Sequence, residues 1–228
     1  MCFSASISFG ASVLLLGTGV SAIKKVESPK MLAFASIPIL FGIQQLSEGI
    51  LWLTLPDPDL INWQRMSIYL FLIFAQIIWP IWIPLSMWLI EKDKGRKKIL
   101  RYLLILGATI STYLIYWVLT SDVSAFIIER HIKYSFYYPN QNLYVALYLL
   151  STIPPLFIAS LKKVKVFGWS LIGSLALSYI FFFHYIVSVW CFFAAILSVQ
   201  ILLIIVYNKK EQKAPSTPLK KWYSHKVE

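Results

Sequence analysis

Residues 167–207 read FGWSLIGSLALSYIFFFHYIVSVWCFFAAILSVQILLIIVY, 41 residues without an Asp, Glu, Lys or Arg. One helix of that length would be about 60 Å long, twice a bilayer hydrocarbon core of about 30 Å. The run therefore predicts two membrane-spanning helices folded back on each other at a tight turn near residues 184–188. The rest of the 228-residue chain is built of similar material. Hydrophobic residues make up 58% and charged residues 14%, with nine tryptophans and a mean hydropathy of +0.69. An ordinary soluble domain carries roughly 25% charged residues. Disorder, collagen, coiled coil and a small disulfide scaffold are excluded, and the fold class is all-α, a polytopic membrane protein.

At about 20 apolar residues per crossing, the chain divides into spans at 3–23, 31–55, 66–90, 99–119, 143–161, 166–184 and 187–207, a seven-helix transmembrane bundle. Residues 1–207 form the transmembrane domain. Residues 208–228, Lys-rich with Pro215 and Pro218, read as a basic, disordered cytoplasmic tail. The N-terminus has no basic n-region of a signal peptide, so the first span is expected to stay in the mature protein. The stretch 124–138 is rich in β-branched and aromatic residues and predicts a short hairpin or interfacial segment over the outer mouth.

The net charge of +11 raises nucleic acid as a partner, but its distribution excludes it. Eighteen of the 21 Lys and Arg lie after spans 1, 3 and 5 and in the tail; only Arg65, Arg130 and Lys133 fall on the other side. By the positive-inside rule the N-terminus is outside and the C-terminus cytoplasmic, in a multi-pass protein of the plasma (inner) membrane. The expected partners are the lipid bilayer and a small-molecule or lipid ligand.

Ionisable residues at membrane depth are costly and mark function by default. Span 2 places Gln44, Gln45, Glu48 and Trp52 on one flank at helical spacing. Glu48 lies about 10 Å below the outer end of its span, and Gln76 of span 3 reaches nearly the same depth. Trp79, Pro80, Trp82 and Pro84 follow, and two prolines four apart free carbonyls that neighbours must satisfy. Tyr179 and His184 lie in the outer half of span 6. The expected ligand-binding set is Gln44, Gln45, Glu48, Trp52, Gln76, Trp79, Tyr179 and His184. Its pocket would lie among spans 2, 3, 6 and 7 and open outward.

Cys2, Glu48, His131, His184 and Cys191 all fall at or just below the outer face. Such a set can ligate zinc, activate water or pair a nucleophile with a base, but no spacing within it is diagnostic, and neither a resident metal nor a cofactor is assigned. The catalytic candidates are Cys2, Glu48 and His131. Cys2 has three open fates: a free N-terminal nucleophile, a disulfide with Cys191, or an inert thiol. Small-residue stripes, Ser4, Ser8, Ser12 and Gly19 in span 1 and Ser188, Cys191, Ala195 and Ser198 in span 7, would let the first and last helices close the bundle.

Several pieces are similar to an uncharacterised family of bacterial integral membrane proteins whose chains begin Met-Cys-Phe-Ser-Ala. They are Met1 to Ala5, Gln44-Gln45-Leu-Ser-Glu48-Gly49 with Trp52, Trp79-Pro80-Ile-Trp82-Ile-Pro84, His131-Ile132-Lys133-Tyr134, and Ser188-Val-Trp190-Cys191-Phe-Phe-Ala-Ala. The resemblance implies a helical membrane fold and places Cys2, Glu48, His131 and Cys191 in the family's pattern. It brings no activity. Retinal proteins need a lysine in the last span, and span 7 has none. Ceramidase-like hydrolases need several histidines and an aspartate within spans; this chain has three histidines in all, one of them His225 in the tail. A transporter's inverted repeats would show paired broken helices, and only span 3 looks broken. Two readings stand: a receptor- or sensor-like binding protein with a pocket around Glu48, and a membrane-embedded hydrolase or transferase at the outer leaflet.

Overall fold

Ser4 opens the first helix with its hydroxyl accepting from the Ile7 N–H, and Lys24 and Lys25 occupy the last turn, where the helix dipole favours cations. The computed structural model describes residues 4–128 and 130–213. Its helices are α1 (Ala5–Lys25), α2 (Leu32–Ala35), α3 (Ile37–Thr54), α4 (Ile61–Leu72), α5 (Trp79–Ile90), α6 (Lys94–Thr120), α7 (Gln141–Thr152), α8 (Pro154–Ile158), α9 (Val164–Phe181), α10 (Ile186–Leu197) and α11 (Gln200–Lys213). They group into seven stretches long and apolar enough to cross a membrane: Ala5–Lys25, Pro29–Thr54, Pro58–Ile90, Lys94–Thr120, Gln141–Ile158, Val164–Phe181 and Phe183–Lys210.

These match the seven expected spans, with differences that have local causes. The third and fourth begin earlier than expected because Asp57 accepts from the Asp59 N–H and Asp93 from the Arg96 N–H, starting helical turns ahead of the apolar run. The last helix continues through Asn208 to Lys213, past the expected start of the tail. Residues 214–228, the remainder of that tail, lie outside the described residues, as does Cys2. The long uncharged run is broken where expected, with a single 3-10 turn over Phe183–Tyr185 between α9 and α10.

Span 3 is broken as its prolines require. Between α4 and α5 the helix widens into a π turn over Ile73–Ile78, ahead of Pro80. The carbonyls loosened there are taken by neighbours. The Tyr148 hydroxyl donates to the Ala75 carbonyl at 2.8 Å and the Ser111 hydroxyl to the Ile77 carbonyl at 2.7 Å. Pro84 lacks the N–H that would bond the Pro80 carbonyl, and Gly107 of α6 packs directly on that carbonyl, where a Cβ would overlap it.

The hairpin is present. β1 (Ser124–Ile128) pairs antiparallel with β2 (His131–Ser135), with Ile127 opposite Ile132. Ala125 and Ile132 are buried against Leu51, Phe71, Val118 and Cys191, an apolar cluster distinct from the larger one nearer the basic loops. Of the span 1 stripe, Gly19 packs against α3. Gly19 backs onto Ile39, Gly42 onto Leu16 and Gly49 onto Phe9, an antiparallel register in which glycines of both helices let α1 and α3 approach. Contacts of α1 with α10 and α11 are present but slighter.

Candidate functional site

Gln44, Gln45 and Glu48 are completely buried on α3. The Ser188 hydroxyl of α10 donates to Glu48 Oε1 at 2.6 Å, and Gln45 Nε2 donates to Oε2 at 3.4 Å. The Trp79 indole N–H donates to Gln44 Oε1 at 3.0 Å. Three helices from distant parts of the chain are thereby tied by side-chain hydrogen bonds in an apolar surround, where such bonds are electrostatically strong. The Cys191 thiol, one turn along α10 from Ser188, lies beside Gln44 and Glu48. Chemically this is a compact hydrogen-bonding knot around one carboxyl group.

The cavity is on the other side of α10. It has a volume of about 750 Å³, and Val187, Trp190 and Cys191 of α10 form the wall that divides it from the Glu48 group. Ala75 and Gln76, in the π turn, line it from span 3. Tyr144, Val145, Tyr148 and Leu149 line it from α7, and Ile172, Leu175, Ala176 and Tyr179 from α9. At the hairpin end it is closed by Tyr134, Phe136 and Tyr138. Burial pushes the Tyr138 phenol pKa up, helped by Tyr113, so the hydroxyl stays neutral. Among the described residues, no Asp, Glu, Lys, Arg or His lines the cavity. A second space of about 40 Å³ lies between Phe41, Trp79, Trp190 and Cys191, too narrow for more than a water or two.

The comparisons meet this geometry with a match over nearly the whole chain: a family of unknown function, DUF6629, covers residues 1–217. The chain belongs to that family. No curated protein matches it, and no solved structure does. Membership thus carries no activity to this chain, and the residues must speak for themselves.

Of the eight residues expected to bind ligand, Gln76 and Tyr179 line the large cavity. Gln44, Gln45 and Glu48 form the knot behind α10, Trp79 lines the narrow space, and Trp52 packs half-buried with the hairpin cluster. His184 is exposed and lines neither space. His131 is buried at the start of β2, stacked on Tyr185 with centroids 4.6 Å apart and 5.3 Å from Phe182, which docks the hairpin on the α9–α10 turn. The expected pocket among spans 2, 3, 6 and 7 thus separates into a packed polar knot and a cavity displaced toward spans 4 and 5. Sequence reasoning missed Tyr144, Tyr148 and Trp190. The signal was available in α7, where Gln141, Tyr144, Val145, Tyr148 and Leu149 recur at one helical face.

Proposed function

We propose that this protein is a receptor- or sensor-like binding protein of the plasma membrane, N-terminus outside, that takes an apolar small molecule or lipid in the outer half of its bundle. The observation that carries the reading is the cavity of about 750 Å³ under the hairpin. It falls within the roughly 300–1,000 Å³ of ligand sites, and its wall is aromatic and aliphatic with a few hydrogen-bonding groups. Ser188 and Cys191 sit on the helix that separates cavity from knot, so the Glu48 group is placed to sense how α10 is pushed by an occupant.

Native mass spectrometry of the protein released from membranes tests this. Wild type is expected to carry a co-purifying molecule that the cavity-filling variant Ala176→Trp lacks. Equal loading of the two, or an empty wild type in every lipid extract tried, counts against the reading.

A hydrolase or transferase acting at the outer leaflet is the second reading, favoured by one observation: Cys191 lines the cavity and has Glu48 beside it. Cys191→Ser separates the two. A binding protein retains its ligand unchanged in mass; a covalent catalyst accumulates unprocessed substrate.

A further inference from the structure

We infer that the cavity is filled from the side, by an uncharged bilayer amphiphile whose hydrocarbon tail slides between α7 and α9. This rests on the binding role proposed above and adds the ligand class and its route. The gap between the two helices is bridged at one end by α8, which continues α7. There Gly168 at the start of α9 packs on Leu156 and Phe157 of α8, and a Cβ at Gly168 would come within 2.9 Å of the Phe157 ring. Toward the hairpin they part company: α7 leans on α5 and α6, while α9 leans on α10 and α11. The wedge between them is the cavity.

Its two edges are open. Val145 and Tyr179 line the cavity yet remain 49% and 60% exposed, on a surface that continues into Leu150, Val166 and Ile180, all exposed and apolar. In a membrane that surface meets lipid, so an occupant need not cross water to enter. The lining of α7 from Gln141 to Leu149 covers nine residues, a rise of about 12 Å, which is most of one leaflet of a hydrocarbon core about 30 Å thick.

The chemistry of the wall selects the guest. With no charged side chain among the described lining residues to pair with, a phosphate or ammonium inside would be desolvated and uncompensated. Tyr138, Gln141 and Asn142 gather at the hairpin end and offer hydrogen bonds to a neutral hydroxyl, ester or amide. The deeper wall, from Leu149 to Ile172, is apolar except for Gln76 and for Tyr148, whose hydroxyl is taken by the Ala75 carbonyl. The head lodges under the hairpin and the tail runs down the wedge.

The test uses the full chain in phosphatidylcholine nanodiscs containing a diacylglycerol with a diazirine on one acyl chain. A parallel sample contains phosphatidic acid with the same labelled chain. After irradiation, adducts are mapped by peptide mass spectrometry. Diacylglycerol is expected to label Leu149, Ile172 and Trp190 at least about tenfold more than phosphatidic acid does, the ratio that a difference of 1.4 kcal/mol produces. Ala176→Trp should abolish those adducts and leave those at Leu150 and Val166 unchanged; Val145→Trp serves if the first variant does not fold.

Adducts confined to Leu150 and Val166 overturn the lateral route, and equal labelling by phosphatidic acid overturns the uncharged guest. Belt-only labelling alongside a co-purifying molecule that Ala176→Trp loses would sink this inference while the binding role stood. Belt-only labelling with no such molecule would sink both.

Discussion

Ser188 Oγ lies 2.6 Å from a carboxylate oxygen of Glu48 with both residues fully buried, so the hydroxyl is worth more here than at a surface. Removing it leaves the carboxyl short of a donor, and such losses cost about 1–3 kcal/mol. Ser188→Ala should therefore lower the unfolding midpoint in mild detergent clearly. Ser174→Ala should not, because that hydroxyl only returns to the Leu171 carbonyl of its own helix. Equal midpoints for the two variants would show that the Glu48–Ser188 bond contributes nothing to holding α3 on α10. Glu48 was legible from sequence as a buried carboxyl among polar neighbours at i−3 and i−4. Its partner was not, because Ser188 lies 140 residues away and looked like one member of a small-residue stripe.

At the scale of elements, α5 and α6 meet where two prolines have loosened a helix and a glycine accepts the consequence. Gly107→Ala puts a methyl group into the Pro80 carbonyl, backbone against backbone with no flexible atom to yield. Overpacking of that kind costs about 1–3 kcal/mol, and the variant should lose thermal stability accordingly; an unchanged midpoint would mean that the α5–α6 approach is looser than described. The opposite end of the same helices carries a pH-sensitive clasp. Glu91 accepts from the backbone N–H groups of Lys92, Asp93 and Ser160 and from the Ser160 hydroxyl, at 2.7–2.9 Å, joining the loop after α5 to the loop after α8. Burial alone raises its pKa, but these four donors together outweigh it and hold the carboxyl below its usual value of 4.5. A pKa lowered by folding stabilises the fold above the unfolded value and ceases to as pH falls through the folded one. Unfolding midpoints followed from neutral pH to below 4.5 should fall less steeply in Glu91→Gln than in wild type. Superimposable pH profiles would remove the clasp.

For the whole molecule, the decisive quantity is sidedness. The basic loops after spans 1, 3 and 5 predict a cytoplasmic Lys94 and an external Asp57, and both side chains are exposed. In a background with Cys2 and Cys191 replaced by serine, a membrane-impermeant maleimide applied to intact cells should label Asp57→Cys and spare Lys94→Cys until the cells are opened. Labelling of both from the same side would contradict seven crossings.

Seven apolar stretches, the fold-back inside an uncharged 41-residue run and the proline-broken third span were determined by the sequence alone, and the stretch 124–138 was legible as a hairpin or an interfacial segment. Each is a local consequence of the bilayer's thickness, of a missing proline N–H or of β-branched alternation, and each needs no neighbour to be read. What only the tertiary structure decided is who faces whom. Helices α1 and α3 chose each other because the glycines of each receive large side chains of the other, a choice that composition leaves open when span 7 has its own small stripe. The polar residues around Glu48 closed on Ser188 and Trp79. Meanwhile α7 and α9, joined through α8 at Gly168 and drawn apart by different partners, opened a cavity between aromatic faces whose sequence signal is indistinguishable from ordinary core. A periodic pattern names the face of a helix that will be covered; it carries no information on whether protein or ligand covers it, because both are selected by the same apolar surface.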